Sequence, residues 1–103
     1  MAQYIVDGRR YDMATAEEIG SDSYGNPNDF SHWEETLYRT TKGAFFVVGG
    51  GGPMTRWARQ TGENETSGSC GIRVLDAREA MHWCERADIA PEVTGRIFEV
   101  QDA

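Results

Sequence analysis

The chain has 103 residues, 39% of them hydrophobic, and a formal net charge of −7. This size predicts a single domain, residues 1–103, and the apolar content excludes a disordered acidic tail. No apolar run is long enough for a secretory signal or a membrane span, so we expect a soluble, cytoplasmic protein.

The N-terminal residues 3–11 predict a β-hairpin. Strand-favouring side chains occupy residues 4–6. Asp7 and Gly8 follow as a two-residue turn signal, because glycine accepts the positive φ that such a turn needs.

A short helix and a loop are predicted next. Asp12 or Thr15 can cap a helix that runs to about Ile19, and Gly20 would end it. Residues 21–28 are rich in turn formers and predict a loop.

The middle of the chain predicts a second hairpin. Residues 30–41 carry strand-favouring aromatic side chains, and the turn at 40–43 leads into the most apolar stretch, residues 44–48. Four glycines at 49–52, followed by Pro53, then exclude a regular strand or helix.

The segment after the glycines predicts little regular structure. One irregular helical turn is expected within residues 54–60, and the polar, glycine-rich residues 61–71 predict a mobile loop. Residues 72–75 predict a short strand.

The C-terminal part predicts two helices and completes the fold class. Asp76 caps the first, whose apolar residues recur on one face, and Pro91 begins a second at about 91–98. The order of the predicted strands and helices along the chain indicates an α+β domain. We expect an antiparallel sheet of about five strands built from two hairpins, with two or three helices packed on one face.

Acidic side chains are concentrated in residues 12–35, which contain no Lys or Arg. The remaining acids and bases cancel, so the whole net charge lies in this segment. Such a field attracts basic partners and repels nucleic acid and anionic membranes. Carboxylates can also replace DNA phosphates in bidentate pairs with arginine. The predicted partner-binding residues are Asp12, Glu17, Glu18, Asp22, Asp29, Glu34 and Glu35.

Candidate enzyme, phosphate and metal motifs are weak. A phosphate loop requires Lys and Ser/Thr after its last glycine, whereas Pro53 and Met54 occupy those positions. His82 and Cys84 fall short of the four ligands of a structural zinc site. We therefore expect no metal and no cofactor.

Catalytic alternatives rest on isolated residues. Cys70 with His82 could form a nucleophile and base, although a structural cysteine is the simpler interpretation. Glu34 and Glu35 are strand neighbours and should point to opposite faces, so they would not form an acid/base pair. The sequence therefore favours a protein that is not an enzyme.

The chain resembles a family of small phage and mobile-element proteins that includes anti-CRISPR proteins. The resemblance spans roughly residues 3–98. It departs at Gly50, where relatives carry an acidic residue, and in a longer loop before Phe30. The motifs that carry it are YD at 11–12, TAEEIG at 15–20, NDF at 28–30, EETLYRTTKGAFF at 34–46, GGGGPMT at 49–55 and EAMHW at 79–83.

The resemblance implies an inhibitor that binds a Cas effector complex in the cytoplasm of a bacterial host. It would block target DNA recognition through an acidic, DNA-mimicking surface, without binding nucleic acid or membrane, as a monomer or homodimer. The alternative is a phage or plasmid accessory module that binds another host protein through an aromatic surface at Trp57 and the glycine segment.

Overall fold

A computed structural model of the chain describes residues 3–26, 31–52, 59–62, 65–67, 69–100 and 103. The described residues form eight strands and two helices. The strands are β1 (Gln3–Val6), β2 (Arg9–Asp12), β3 (Glu17–Tyr24), β4 (Trp33–Arg39), β5 (Phe45–Gly51), β6 (Arg59–Gly62), β7 (Glu65–Ser67) and β8 (Ser69–Leu75), and the helices are α1 (Ala77–Arg86) and α2 (Pro91–Ile97).

The predicted N-terminal hairpin is confirmed. β1 and β2 pair antiparallel, and the turn between them places Asp7 at φ 51° and Gly8 at φ 75°. Two consecutive positive φ values match the right-handed twist of the flanking strands. The hairpin forms its own two-stranded sheet and does not join the main one.

The main sheet has four antiparallel strands in the order β3-β4-β5-β8. The α+β class and the antiparallel pairing are therefore as predicted. The single sheet of about five strands is wrong, because the described strands divide between this sheet and two separate hairpins, β1–β2 and β6–β7.

The helix predicted from Asp12 or Thr15 to Ile19 is wrong. The loop predicted at 21–28 is wrong over residues 21–24, whereas residues 25 and 26 are irregular as predicted. β3 occupies Glu17–Tyr24 and pairs with β4 along its whole length. A helix this short has a costly nucleus and few hydrogen bonds, so long-range pairing overrides local helix propensity. Gly20 lies within the strand beside a register shift.

The prediction that glycines 49–52 form no regular strand is also wrong. Gly49, Gly50 and Gly51 end β5 and pair with β4 on one side and with β8 on the other. A Cβ at Gly49 would collide with the backbone carbonyl oxygen of Glu34. Glycine is therefore used here for close approach of two strands and not for a chain reversal.

The loop predicted at 61–71 is contradicted over its described residues, because residues 61–62 end β6, residues 65–67 form β7 and residues 69–71 begin β8. These strands form by pairing with distant or neighbouring segments, which the polar composition does not reveal. The helical turn predicted at 54–60 lies mostly outside the described residues, and residues 59 and 60 belong to β6.

Both C-terminal helices are confirmed. Asp76 accepts a hydrogen bond from the backbone N–H of Glu79, and the Glu79 side chain accepts one from Asp76, which completes a capping box. α1 buries Ala80, Trp83 and Cys84 against the sheet. The core thus lies between the helices and one face of the sheet.

Side-chain alternation separates the two faces of the sheet. Leu37 and Val47 point toward the helices and are fully buried in the core. Phe46 points to the opposite face, where the rings of Tyr38 and Tyr11 lie 5.2 and 5.4 Å from its own. Tyr11 belongs to β2, so the hairpin covers part of this second face, which we call the open face.

Candidate functional site

The seven predicted partner-binding carboxylates do not form one patch. Six are described, and Asp29 lies outside the described residues. Since side chains alternate along a strand, Glu17, Asp22 and Glu35 belong to the helix-covered face, whereas Glu18 and Glu34 belong to the open face. Carboxylates that are close together in the sequence therefore lie on opposite sides of the sheet.

Glu17 is neutralised by arginines from two other elements. Its carboxylate oxygens lie 2.8 Å from Arg39 of β4 and 2.8 Å from Arg96 of α2. The hydrogen bond from Arg96 is the largest cause that lowers the pKa of Glu17 below its usual 4.5, and Arg39 adds to it. This carboxylate ties α2 to the sheet and contributes little unneutralised charge.

Glu35 is internal. Its side chain is only 3% exposed and accepts a hydrogen bond of 2.8 Å from the indole nitrogen of Trp83. A buried carboxylate requires such donors, because an unsatisfied charge is costly in a low dielectric. The side chain therefore connects β4 to α1 and does not contact a partner through its carboxylate.

Asp12 is used within its own turn. Its Oδ1 accepts a hydrogen bond from the backbone N–H of Ala14, and its carbonyl accepts one from Ala16. This Asx turn joins β2 to β3. Asp12 thus positions the start of the main sheet.

Two of the predicted carboxylates remain candidates for partner contact on the open face. Glu18 and Glu34 are exposed on the open face, and Asp22 is half-buried with its Oδ1 bonded to the N–H of Ser23. Burial raises the pKa of Tyr38, and the charge of the neighbouring Glu18 adds to the rise. Within the described residues, neither Glu18 nor Glu34 forms an ion pair.

A groove of about 560 Å³ lies on the open face, beside the β1–β2 hairpin. Its floor crosses three strands, and Tyr4 of β1 forms its wall. We call it the anionic groove, and its open-face residues are Ser21, Ser23, Glu34, Thr36, Val48 and Gly50.

The anionic groove combines acidic and hydroxyl groups. Asp22 and Glu35 lie in the strands of its floor, but their side chains belong to the helix-covered face, so the exposed Glu34 supplies its carboxylate. None of its lining residues is Lys or Arg. The hydroxyls of Ser21 and Thr36 lie 3.2 Å apart across the β3–β4 pair. Such a surface offers several oxygen acceptors to a cationic donor.

Sequence reasoning missed the hydroxyl residues of the groove. Ser21 and Ser23 were interpreted as turn formers, whereas they occupy alternate positions of β3 on one face. That spacing of two is the available signal, but it cannot be recognised before the strand is known. Gly50, at the site of the expected acidic residue, leaves the groove floor without a side chain.

The other candidate residues are placed apart or lie outside the described part. Trp57 is outside it, and the side chain of Cys70 is not described. His82 is exposed on α1 whereas Cys84 is buried, and burial raises the pKa of the Cys84 thiol. Among the described residues, no group of three or more His, Cys, Asp or Glu is arranged to hold a metal ion.

Neither described helix has the length and apolar character needed to cross a membrane. Comparison of the chain with protein-family models, with curated proteins and with solved structures gives no match.

Proposed function

We propose that this protein is an inhibitor of the anti-CRISPR kind, which binds the basic DNA-gripping surface of a Cas effector complex in the bacterial cytoplasm. The observation that carries the proposal is the anionic groove, where the exposed carboxylate of Glu34 lies among hydroxyl groups and no lining residue is a base. A surface that holds DNA phosphates is rich in Lys and Arg and would be attracted to it. The resemblance over residues 3–98 supports the same function.

In the proposed mechanism, the seven predicted carboxylates do not together imitate the DNA backbone. Glu17 and Glu35 are bonded internally and Asp22 belongs to the helix-covered face, so contact is assigned to the open-face residues Glu18 and Glu34. Arginine is the fitting partner group, because its planar guanidinium can bond a carboxylate and a hydroxyl together. Occupation of those arginines would deny them to DNA phosphates.

The test is competition for DNA. Purified effector complexes of several CRISPR types are mixed with labelled target DNA and increasing amounts of the protein, at two salt concentrations. The wild-type protein is expected to displace DNA from at least one effector. Replacement of Glu18 and Glu34 by Lys should weaken displacement by at least about tenfold, since each contact is a charge-assisted hydrogen bond.

A matched variant separates a specific surface from overall charge. Replacement of Glu85 and Glu92 by Lys changes the net charge equally, and both residues are exposed on the helices. This variant should inhibit within about threefold of wild type. Equal loss in both double variants would assign the effect to net charge, and displacement unaffected by either would eliminate the groove as the contact surface.

A further inference from the structure

A second groove lies between the β1–β2 hairpin and the turn that joins β4 to β5, and it carries the opposite charge. Its volume is about 790 Å³. We call it the basic groove. The residues that matter for its chemistry are Arg9, Lys42, Thr15, Thr40 and Thr41.

The basic groove concentrates positive charge in a chain whose net charge is −7. Arg9, Arg10 and Lys42 are all exposed, and the acidic residue in its lining is Asp12. The Oδ1 of Asp12 already accepts a hydrogen bond from the backbone of Ala14. Arg10 and Asp12 belong to the other face of β2, so Arg9 and Lys42 give the cavity a formal charge of +2.

Hydroxyl donors accompany these cations. Thr40 Oγ1 accepts a hydrogen bond of 3.0 Å from the backbone N–H of Ala44. The hydroxyl proton of Thr40 therefore remains available for donation. Thr41 and Lys42 are exposed in the turn beside it. Guanidinium, ammonium and hydroxyl donors around one cavity are the groups that bind phosphate oxygens.

We propose that the basic groove binds a compact phosphate group, carried by a small molecule or by the end of a nucleic-acid chain. The cavity falls within the range of about 300 to 1,000 Å³ that is usual for small-molecule sites. A long polyanion fits less well, because the anionic groove lies on the other side of the hairpin and would repel its continuation. This inference is independent of effector binding.

The experiment follows backbone amide NMR signals of the full chain during titration with inorganic pyrophosphate at low salt. Saturable shifts confined to residues 8–12 and 40–44 are expected. Lys42→Gln and Arg9→Gln should each raise the dissociation constant by at least about fivefold, through loss of a charge-assisted contact. Arg78→Gln removes the same charge from an exposed position on α1 and should bind within about twofold of wild type.

A second titration identifies the source of the phosphate. Tetrauridylate with a 5′-phosphate should bind at least about fivefold more tightly than the same oligonucleotide without it. Equal affinity of the two would overturn the assignment of a compact phosphate in favour of backbone recognition. Pyrophosphate shifts spread over the whole molecule, or equal weakening by Arg78→Gln, would overturn the site itself.

Discussion

The indole N–H of Trp83 donates a hydrogen bond of 2.8 Å to the carboxylate of Glu35, a residue 48 positions earlier in the chain. Both side chains are almost completely buried, at 2% and 3% exposure. The bond joins α1 to β4. A residue that the charge pattern assigns to a binding surface is thus part of the internal framework.

Trp83→Phe is expected to lower the free energy of unfolding by about 2–4 kcal/mol, because it removes this donor and leaves a cavity. Urea denaturation of Trp83→Phe, Glu35→Gln and the double variant gives the coupling between the two side chains. A coupling energy of about 1 kcal/mol or more is expected for a buried charge-assisted bond. Simple additivity of the two single effects would contradict the role of the bond.

Gly49 and Gly71 face each other across β5 and β8, yet their substitutions should have different effects. A Cβ at Gly49 would meet the carbonyl of Glu34 and lie 3.1 Å from the Cα of Glu35, whereas a Cβ at Gly71 meets nothing within 4 Å. Gly49→Ala should cost about 3 kcal/mol or more, because the obstacle is backbone. Gly71→Ala should change stability by less than about 1 kcal/mol.

Thermal unfolding of the two alanine variants, monitored by circular dichroism, provides the comparison. The Gly71 variant serves as the control for loss of glycine in a paired strand. Similar melting temperatures for the two variants would show that close approach at Gly49 does not limit the sheet.

Asp88→Gly is expected to stabilise the protein. Asp88 follows α1 at φ 57°, its N–H bonds to Glu85, and the N–H of Ile89 bonds to Cys84, which together form a Schellman motif. Glycine relieves the strain of a side chain at positive φ, and a gain of about 0.5–1 kcal/mol is expected.

Asp88→Ala is the control for this prediction, because it removes the carboxylate but retains the Cβ. It should bring no gain in the urea unfolding midpoint. A gain of equal size in both variants would assign the effect to charge and not to backbone conformation.

The ion pairs of Glu17 predict a pH dependence of stability. Arg96 and Arg39 lower the pKa of Glu17 in the folded state below its ordinary 4.5. A lowered pKa contributes stability that is present above pH 4.5 and is lost as the pH falls through the folded value. Glu17→Gln should therefore be less stable than wild type near neutral pH, and the difference should narrow in acid.

Urea midpoints of wild type and Glu17→Gln between pH 3 and pH 7 would measure this narrowing. Glu92→Gln changes an exposed carboxylate on α2 and is the control. If the difference between Glu17→Gln and wild type were constant across the range, the arginine contacts would not be responsible for it.

Sequence reasoning succeeded where the signal is local. The turn at Asp7-Gly8 and the cap of α1 at Asp76 depend on residues within four positions of one another, and both were predicted. The prediction for Glu17–Tyr24 was wrong, because this strand is stabilised by pairing with Trp33–Arg39, which is distant in the sequence. The same holds for the candidate site. The sequence shows the acidic segment, but it does not show that the carboxylates lie on two faces of the sheet.

The amino-acid sequence determined the α+β class, the C-terminal helices, the first hairpin and the location of the excess negative charge. These features follow from propensity, capping and composition, which act over a few residues or simply add. The tertiary structure alone decided which carboxylates are neutralised by Arg39 and Arg96, which one bonds to Trp83, and which line the anionic groove. Strand pairing brings together residues that are far apart in sequence, and no local pattern specifies that register.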